Sequence, residues 1–331
     1  MPSSYDVVIV GAGPAGLECA RALMDSRLSV LIIEKNEQIG PKTCAGGIVE
    51  TVEPLHLPES KARSFDCLNI YLKKKRFQLK TKAPIRIIDR DELGHYQEQL
   101  ISDNRNVNIL LKTCLRKIES QRVYTTSGEF GYRYLVGADG SASAVRRYLN
   151  LESRNMVGIY YNIDRLKDDL VFYLDGASLK IGYIWEFPHQ EFTNVGFYYN
   201  PSRCKTRKAI RLLKDYMERK SYPIDSKTYR AFPINHLYQG CQFKGNIFLT
   251  GDAAGLASRL TGEGIASAMI SGREIARKIR NPDHDMKSLN AVIAHKQRQD
   301  SMNNMLEKLP FGLNMVFRLL LHGLQRQLII F

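Results

Sequence analysis

The stretch YDVVIVGAGPAGLECARALMDSRLSVLIIEK near the amino terminus runs from an apolar segment through a glycine turn and a helical pattern into a second apolar segment. That order predicts strand, turn, helix, strand, a βαβ unit that opens a parallel sheet. In GAGPAG, Gly11 permits the tight turn out of the strand, Gly13 lets the backbone approach a pyrophosphate, and Gly16 allows the helix to pack closely on the sheet. Ala15 lies in the same turn, and the helix after it points its amide-rich end toward phosphates. Glu34 ends the second strand where an acidic side chain accepts from ribose hydroxyls. The motif predicts a dinucleotide site, and it serves NAD, NADP and FAD alike.

Further along, the pattern changes twice. Residues near 65 to 80 alternate like antiparallel strands, a helix is expected in DRDELGHYQEQLISDN, and VNILLKTCL reads as an apolar strand. KIESQRVYTT and EFGYRYLVGADG then form a meander turning at Ser127-Gly128. From about 155 to 231 the segments become aromatic and alternating, the pattern of an antiparallel sheet, with a helix in CKTRKAIRLLKDYMERK. After 240 a buried strand, NIFLTGDAAG, and a small-residue helix, GEGIASAMISGREIARKI, return to the character of the first unit. The expected fold class is α/β: a Rossmann-like dinucleotide-binding domain, a parallel sheet with a β-meander, beside an α+β substrate domain with an antiparallel sheet. The expected division assigns 1–64, 85–150 and 232–280 to the first unit, 65–84 and 151–231 to the second, and 281–331 to a short carboxy-terminal helical segment.

Two later motifs narrow the cofactor to FAD. NIFLTGDAAG resembles the late flavoprotein motif in which an aspartate, here Asp252, binds the ribityl chain. YLVGADGSASAVRR resembles the Asp-Gly motif of the p-hydroxybenzoate hydroxylase superfamily and singles out Asp139. Taken alone, Asp139 also reads as a turn aspartate and Asp252 as a helix cap. The same resemblance places Arg90 near the flavin or its phosphates and Leu115 by the adenine through its main chain. It places Gly264 and Ile265 at a helix start, donating to the flavin ring. A surface ion pair with Asp91 or Glu92 is the other reading of Arg90.

KTCAGG and YIWEFP make the chain resemble, over residues 5 to about 275, the geranylgeranyl reductase family of FAD-dependent oxidoreductases. The resemblance implies hydride transfer from reduced FAD to carbon-carbon double bonds of an isoprenoid or other apolar lipid substrate. Cys44 would stand near the flavin as proton donor or as packing, and Ala45 and Gly47 would pass beside the ring. An alkene without a carbonyl needs a well-placed proton donor, and buried inert cysteines are equally familiar. Tyr183, Trp185 and Phe187 share one face of a strand and would bind the hydrocarbon, or else fill the core between sheet and helix. The electron donor is open among NAD(P)H, ferredoxin and quinol. Two rival functions share the motifs: a flavin monooxygenase or halogenase, and a non-catalytic flavin-binding protein held at a membrane.

The formal charge is +14, which invites anionic partners. Its densest run, KKKRFQLKTK, alternates like a solvated strand without nucleic-acid motifs, so no nucleic acid is expected. Six scattered cysteines with no C-x-x-C pair argue against a disulfide framework and against a metal site, and fit a reducing, cytoplasmic setting. No export signal is visible. The tail LPFGLNMVFRLLLHGLQRQLIIF is apolar but broken by Arg318, His322 and Arg326, which argues against a membrane span. It packs on the protein or lies in a membrane interface as a peripheral contact.

Overall fold

The computed structural model describes residues 3–50, 52–223, 229–309 and 312–326. Of the expected tail, 310–311 and 327–331 lie outside the described residues.

Ser4–Val10 runs through the middle of the first sheet, flanked in parallel by Val30–Ile33 and Gly128–Gly137. Val107–Leu110 and Ile247–Leu249 extend the two sides, again in parallel. All of Val30–Ile33 and Ile247–Leu249 is buried, as parallel strands covered on both faces require. Leu115–Glu119, Arg122–Thr125 and Gly128–Gly137 form the expected meander, each strand antiparallel to the next. Helices Pro14–Leu23 and Ile265–Arg280 lie against each other so closely that a Cβ on Gly272 would overlap the carbonyl oxygen of Ala15. The late helix thereby docks on the first βαβ unit, and both helices share one apolar core with the sheet.

The second sheet runs, from edge to edge, through Arg230–Asn235, Asn155–Ile163, Thr193–Tyr199, Tyr183–Pro188, Val171–Leu174, Ala62–Leu72, Lys75–Ile88 and Gly47–Val49. Its neighbours are antiparallel with one exception: Val171–Leu174 pairs in parallel with Ala62–Leu72. These two strands come from distant pieces of chain, so no hairpin imposes the antiparallel direction. Strand pairing also departs from the division drawn on sequence. Gly47–Val49, residues 62–64 and 85–88, and the end of Arg230–Asn235 all pair in the second sheet.

The two faces of this sheet have different neighbours. Helix Thr206–Arg219 packs through Ala209, Leu213 and Met217 on the face carrying Ile159, Tyr161, Ile184 and Phe197. The other face carries Met156, Tyr160, Tyr183, Trp185, Phe187 and Tyr198. It meets Ala45 and Ala257 from segments at the edge of the first sheet. Beyond it, helix Leu313–Gln325 packs through Phe317 and Leu321 on Ile70, Leu72 and Phe77. No described helix is long and apolar enough to cross a membrane.

Candidate functional site

The glycine turn occupies the carboxyl end of the central parallel strand. Gly11 has φ +105°, a conformation that disfavours side chains, and a Cβ there would lie 2.5 Å from the Ala138 carbonyl oxygen. A Cβ on Gly16 would overlap the Gly11 carbonyl oxygen. Gly13 differs: its φ of −82° suits any residue, and a Cβ there would meet nothing within 4 Å. No packing among the described residues explains this glycine, and the open space lies at the start of helix Pro14–Leu23, which has no side-chain cap. First-turn N–H groups of such a helix form an anion site.

Glu34 is buried, and its carboxylate accepts from the N–H of Ala12 at 2.8 Å and of Asn36 at 2.9 Å. These bonds hold the carboxylate beside the turn while each oxygen keeps a second lone pair for a hydroxyl donor. Thr113 donates to the Glu34 carbonyl at 2.8 Å, so Leu115, two residues on, starts its strand beside the same corner.

The two aspartates play different parts. Asp139 lies against Gly11 and accepts from the N–H of Ala144 at 2.6 Å, at the start of the short helix Ala144–Tyr148, which Ser143 caps. Burial raises its pKa, and its Oδ1 is buried with no hydrogen-bond partner. Asp252, which had the alternative reading of a helix cap, caps nothing. The cap position is Thr250, and the Asp252 carboxylate instead accepts from the Ser141 hydroxyl at 3.1 Å and lies 3.6 Å from Lys42 Nζ. Asn235 donates to its carbonyl at 3.0 Å. A Cβ on Gly264 would lie 3.2 Å from Asp252 Oδ1, and one on Gly251 would lie 3.4 Å from the Ala15 Cβ. The early and late motifs therefore converge at one end of the first sheet.

Arg90 is not on the surface. It starts helix Arg90–Gln99, is 6% exposed, and its Nε is buried with no hydrogen-bond partner. Glu92, offered as its surface partner, pairs with Lys61 at 3.3 Å instead. A buried guanidinium N–H without an acceptor costs free energy that an anionic ligand would recover. Helix Ile265–Arg280 starts on Gly264, again without a side-chain cap.

The KTCAGG stretch passes between these features and the aromatic face. Cys44 is partly buried and packs against the apolar cluster that includes Ile88, Ile265 and Met269. Its N–H donates to the Tyr160 hydroxyl at 3.4 Å, and its Sγ accepts from the Gly46 N–H at 3.5 Å. A Cβ on Gly47 would lie 2.9 Å from the Phe187 ring, and one on Gly46 would overlap the Ile88 carbonyl. Their smallness lets the turn lie on the second sheet. His189 donates from Nε2 to the Ala45 carbonyl at 3.1 Å; burial lowers its pKa, so it stays neutral and holds this tautomer.

Tyr183, Trp185 and Phe187 do share a face, but not the one that the helix Thr206–Arg219 covers. Phe172 stacks on Tyr183 at 4.6 Å and on Phe187 at 5.6 Å between ring centroids. Trp185 donates from Nε1 to Asn194 Oδ1 at 2.7 Å, and Tyr183 donates to the Thr261 carbonyl. Gly196 leaves room for the indole, since a Cβ there would overlap it. Lys42, Ser141, Tyr160 and His189 were missed in the sequence. Only Lys42 carried a signal, as a cation beside the cysteine in the turn.

The open space at Gly13, the unpartnered Arg90 Nε, the two uncapped helix starts and the convergence of Asp252 with Gly264 fit an extended dinucleotide with a ring at one end. The FAD binding domain family matches residues 117–282, and the pyridine nucleotide-disulphide oxidoreductase family matches residues 5–169. Fold and site define an FAD-dependent oxidoreductase. Among curated proteins, a digeranylgeranylglycerophospholipid reductase of Methanosphaera stadtmanae is 30% identical over 321 residues, 86% of this chain and 80% of that one. One from Methanocella arvoryzae is 29% identical, covering 93% and 86%. A solved geranylgeranyl bacteriochlorophyll reductase-like protein of Thermoplasma acidophilum superposes with a TM-score of 0.79 at 22% identity, over 98% of this chain and 92% of that one. A p-nitrophenol 4-monooxygenase of Pseudomonas putida shares the fold at a TM-score of 0.76 and 14% identity, over 99% and 97%. The chain belongs to the geranylgeranyl reductase family.

Proposed function

We propose that this enzyme reduces isolated carbon-carbon double bonds of an isoprenoid lipid. The observation that carries the reading is the aromatic face of Tyr183, Trp185 and Phe187, turned toward the Cys44–Gly47 turn and away from the helix backing the sheet. The three rings are buried among Phe65, Ile87 and Ala257, and a hydrocarbon reaching them would contact flat aromatic surfaces. The relatives named as digeranylgeranylglycerophospholipid reductases support the same substrate class.

When bound, reduced FAD would supply the hydride. Gly11, Gly13, Ala15 and Gly16 would hold its pyrophosphate at the first helix start, with Arg90 as the permanent cation for anionic oxygens. Glu34 would accept from the ribose, Leu115 would border the adenine, and Asp139 would hold the turn that supports Gly11. Asp252, oriented by Ser141 and Lys42, would accept from the ribityl chain. Gly264 and Ile265 would present N–H groups to the electron-rich edge of the ring, and Ala45 and Gly47 would run beside it. Cys44 gives its thiol proton to the alkene carbon that does not receive hydride. The Gly46 N–H fixes the sulfur, and the partly buried thiol lies against an apolar cluster.

Anaerobic mixing of photoreduced protein with a geranylgeranyl lipid tests the reading: flavin reoxidation together with a lipid product carrying two more hydrogens is expected. Reoxidation by oxygen alone, with no reaction of any prenyl lipid, overturns it. For Cys44→Ala, FAD content stays unchanged and reoxidation by lipid slows about 100-fold, the scale of a lost general acid. Unchanged reoxidation removes Cys44 from the reaction.

A further inference from the structure

Helix Leu313–Gln325 has no acidic residue, and its two faces do different things. The inner face, with Phe317 and Leu321 buried, packs on Ile70, Leu72 and Phe77. Along the outer face run Met315, Arg318, Leu319 and His322, spaced so that they form one row. Met315 and Leu319 are each 65% exposed, and Arg318 between them is exposed as well. Apolar side chains this open, flanking a cation on a helix already anchored from behind, have no role in the core.

The row continues into the hairpin tip between Ala62–Leu72 and Lys75–Ile88. Lys75 Nζ lies 3.0 Å from His322 Nε2, and Lys73 and Lys74 are exposed at the same turn. Asp175 lies near Lys73, but its carboxylate is occupied by Ala177, Ser178 and Asn314. The face thus combines two protruding apolar groups with a cluster of cations. This is the composition that binds where headgroups meet acyl chains, and the charge of +14 supplies the matching long-range attraction. Its position adds a second argument. The core beneath the helix is continuous with the aromatic face, because Phe172 and Leu174 pack in both clusters.

We propose that this face, the outer row of helix Leu313–Gln325 with the Lys73–Lys75 tip, docks the enzyme on an anionic bilayer, with Met315 and Leu319 inserted among the headgroups. Docking there sets the bilayer next to the far end of the aromatic face. The inference goes beyond the proposed reaction and does not depend on it, since docking requires no reducible lipid.

The test uses the FAD-loaded enzyme and vesicles of saturated phosphatidylcholine, with or without an equal part of saturated phosphatidylglycerol, followed by flotation. Binding is expected to the anionic vesicles and to fall as salt is raised. Each cation removed weakens it about fivefold, so Lys74→Gln with Arg318→Gln weakens it roughly 25-fold. Met315→Gln with Leu319→Gln weakens it about tenfold or more through lost apolar insertion. These side chains are exposed, so FAD content and melting temperature stay unchanged. The proposal is overturned by three results: no binding to anionic vesicles at low salt; equal binding by either double variant; or self-association of the wild type that Met315→Gln with Leu319→Gln abolishes, which would make a second copy the occupant of this face.

Discussion

Replacing Gly13 by alanine separates what the fold requires from what the cofactor requires. The φ of −82° accepts a side chain, and the added Cβ meets nothing within 4 Å. Two small effects then oppose each other in the apoprotein. Alanine is a poorer N-cap residue than glycine, and it also lowers the entropy of the unfolded chain. The apoprotein should melt within about 1 kcal/mol of wild type. With FAD the outcome is expected to change, because the methyl would fill the space through which the pyrophosphate is proposed to reach the helix start. Losing one charge-assisted hydrogen bond costs about 1.5–3 kcal/mol, or roughly 10- to 100-fold in Kd. Gly16→Ala is the companion variant: its Cβ overlaps the Gly11 carbonyl oxygen, so the backbone must shift at about 3 kcal/mol even without cofactor. Thermal melts of apoprotein and fluorescence titration with FAD read both quantities. Unchanged FAD affinity in Gly13→Ala would refute the placement of the pyrophosphate. A melting loss as large as that of Gly16→Ala would refute the claim that the space is empty of protein.

Arg90→Met removes a buried N–H that has no acceptor among the described residues. The apoprotein should hold its stability or gain up to about 1 kcal/mol, while FAD binds roughly 10- to 100-fold more weakly, as melts and titration will show. Gly196→Ala pushes a methyl into the Trp185 indole. It should cost about 1–3 kcal/mol and slow lipid-dependent flavin reoxidation while leaving FAD affinity intact. Burial, aided by the charges of Arg259 and Lys296, lowers the His236 pKa from 6.5 to about 4. The unfolded chain therefore takes up this proton first. Stability contributed by neutral His236 is complete above pH 6.5 and is lost as pH falls toward 4. His236→Gln should flatten that part of a stability-against-pH curve measured by denaturant titration.

The glycine turn and its sheet were legible because their signals are local. Gly11 and Gly16 answer to backbone crowding within a few residues, and the parallel sheet shows in runs such as VLII that are buried on both faces. Period-two spacing likewise put Tyr183, Trp185 and Phe187 on one face, yet it could not say which face the helix covers. That depends on Thr206–Arg219 docking on Ile184 and Phe197 and leaving the other side to Ala45. The parallel pairing of Val171–Leu174 with Ala62–Leu72 was hidden for a related reason, since no turn chemistry records a partner so distant. Lys42, Ser141 and Tyr160 acquire their places only through contacts across the chain. Arg90 was read from a motif, but its burial was not: arginines are mostly exposed, and only the assembled structure shows one enclosed.

The near-contact of Gly272 with Ala15 has a consequence for the order in which this protein is made. The cradle that the glycine turn begins is closed by a helix from far down the chain, so the amino-terminal βαβ unit emerging from the ribosome has no finished pocket to offer. With FAD held as proposed, its capture waits until translation has passed Gly272, and a message truncated earlier is expected to yield a colourless product.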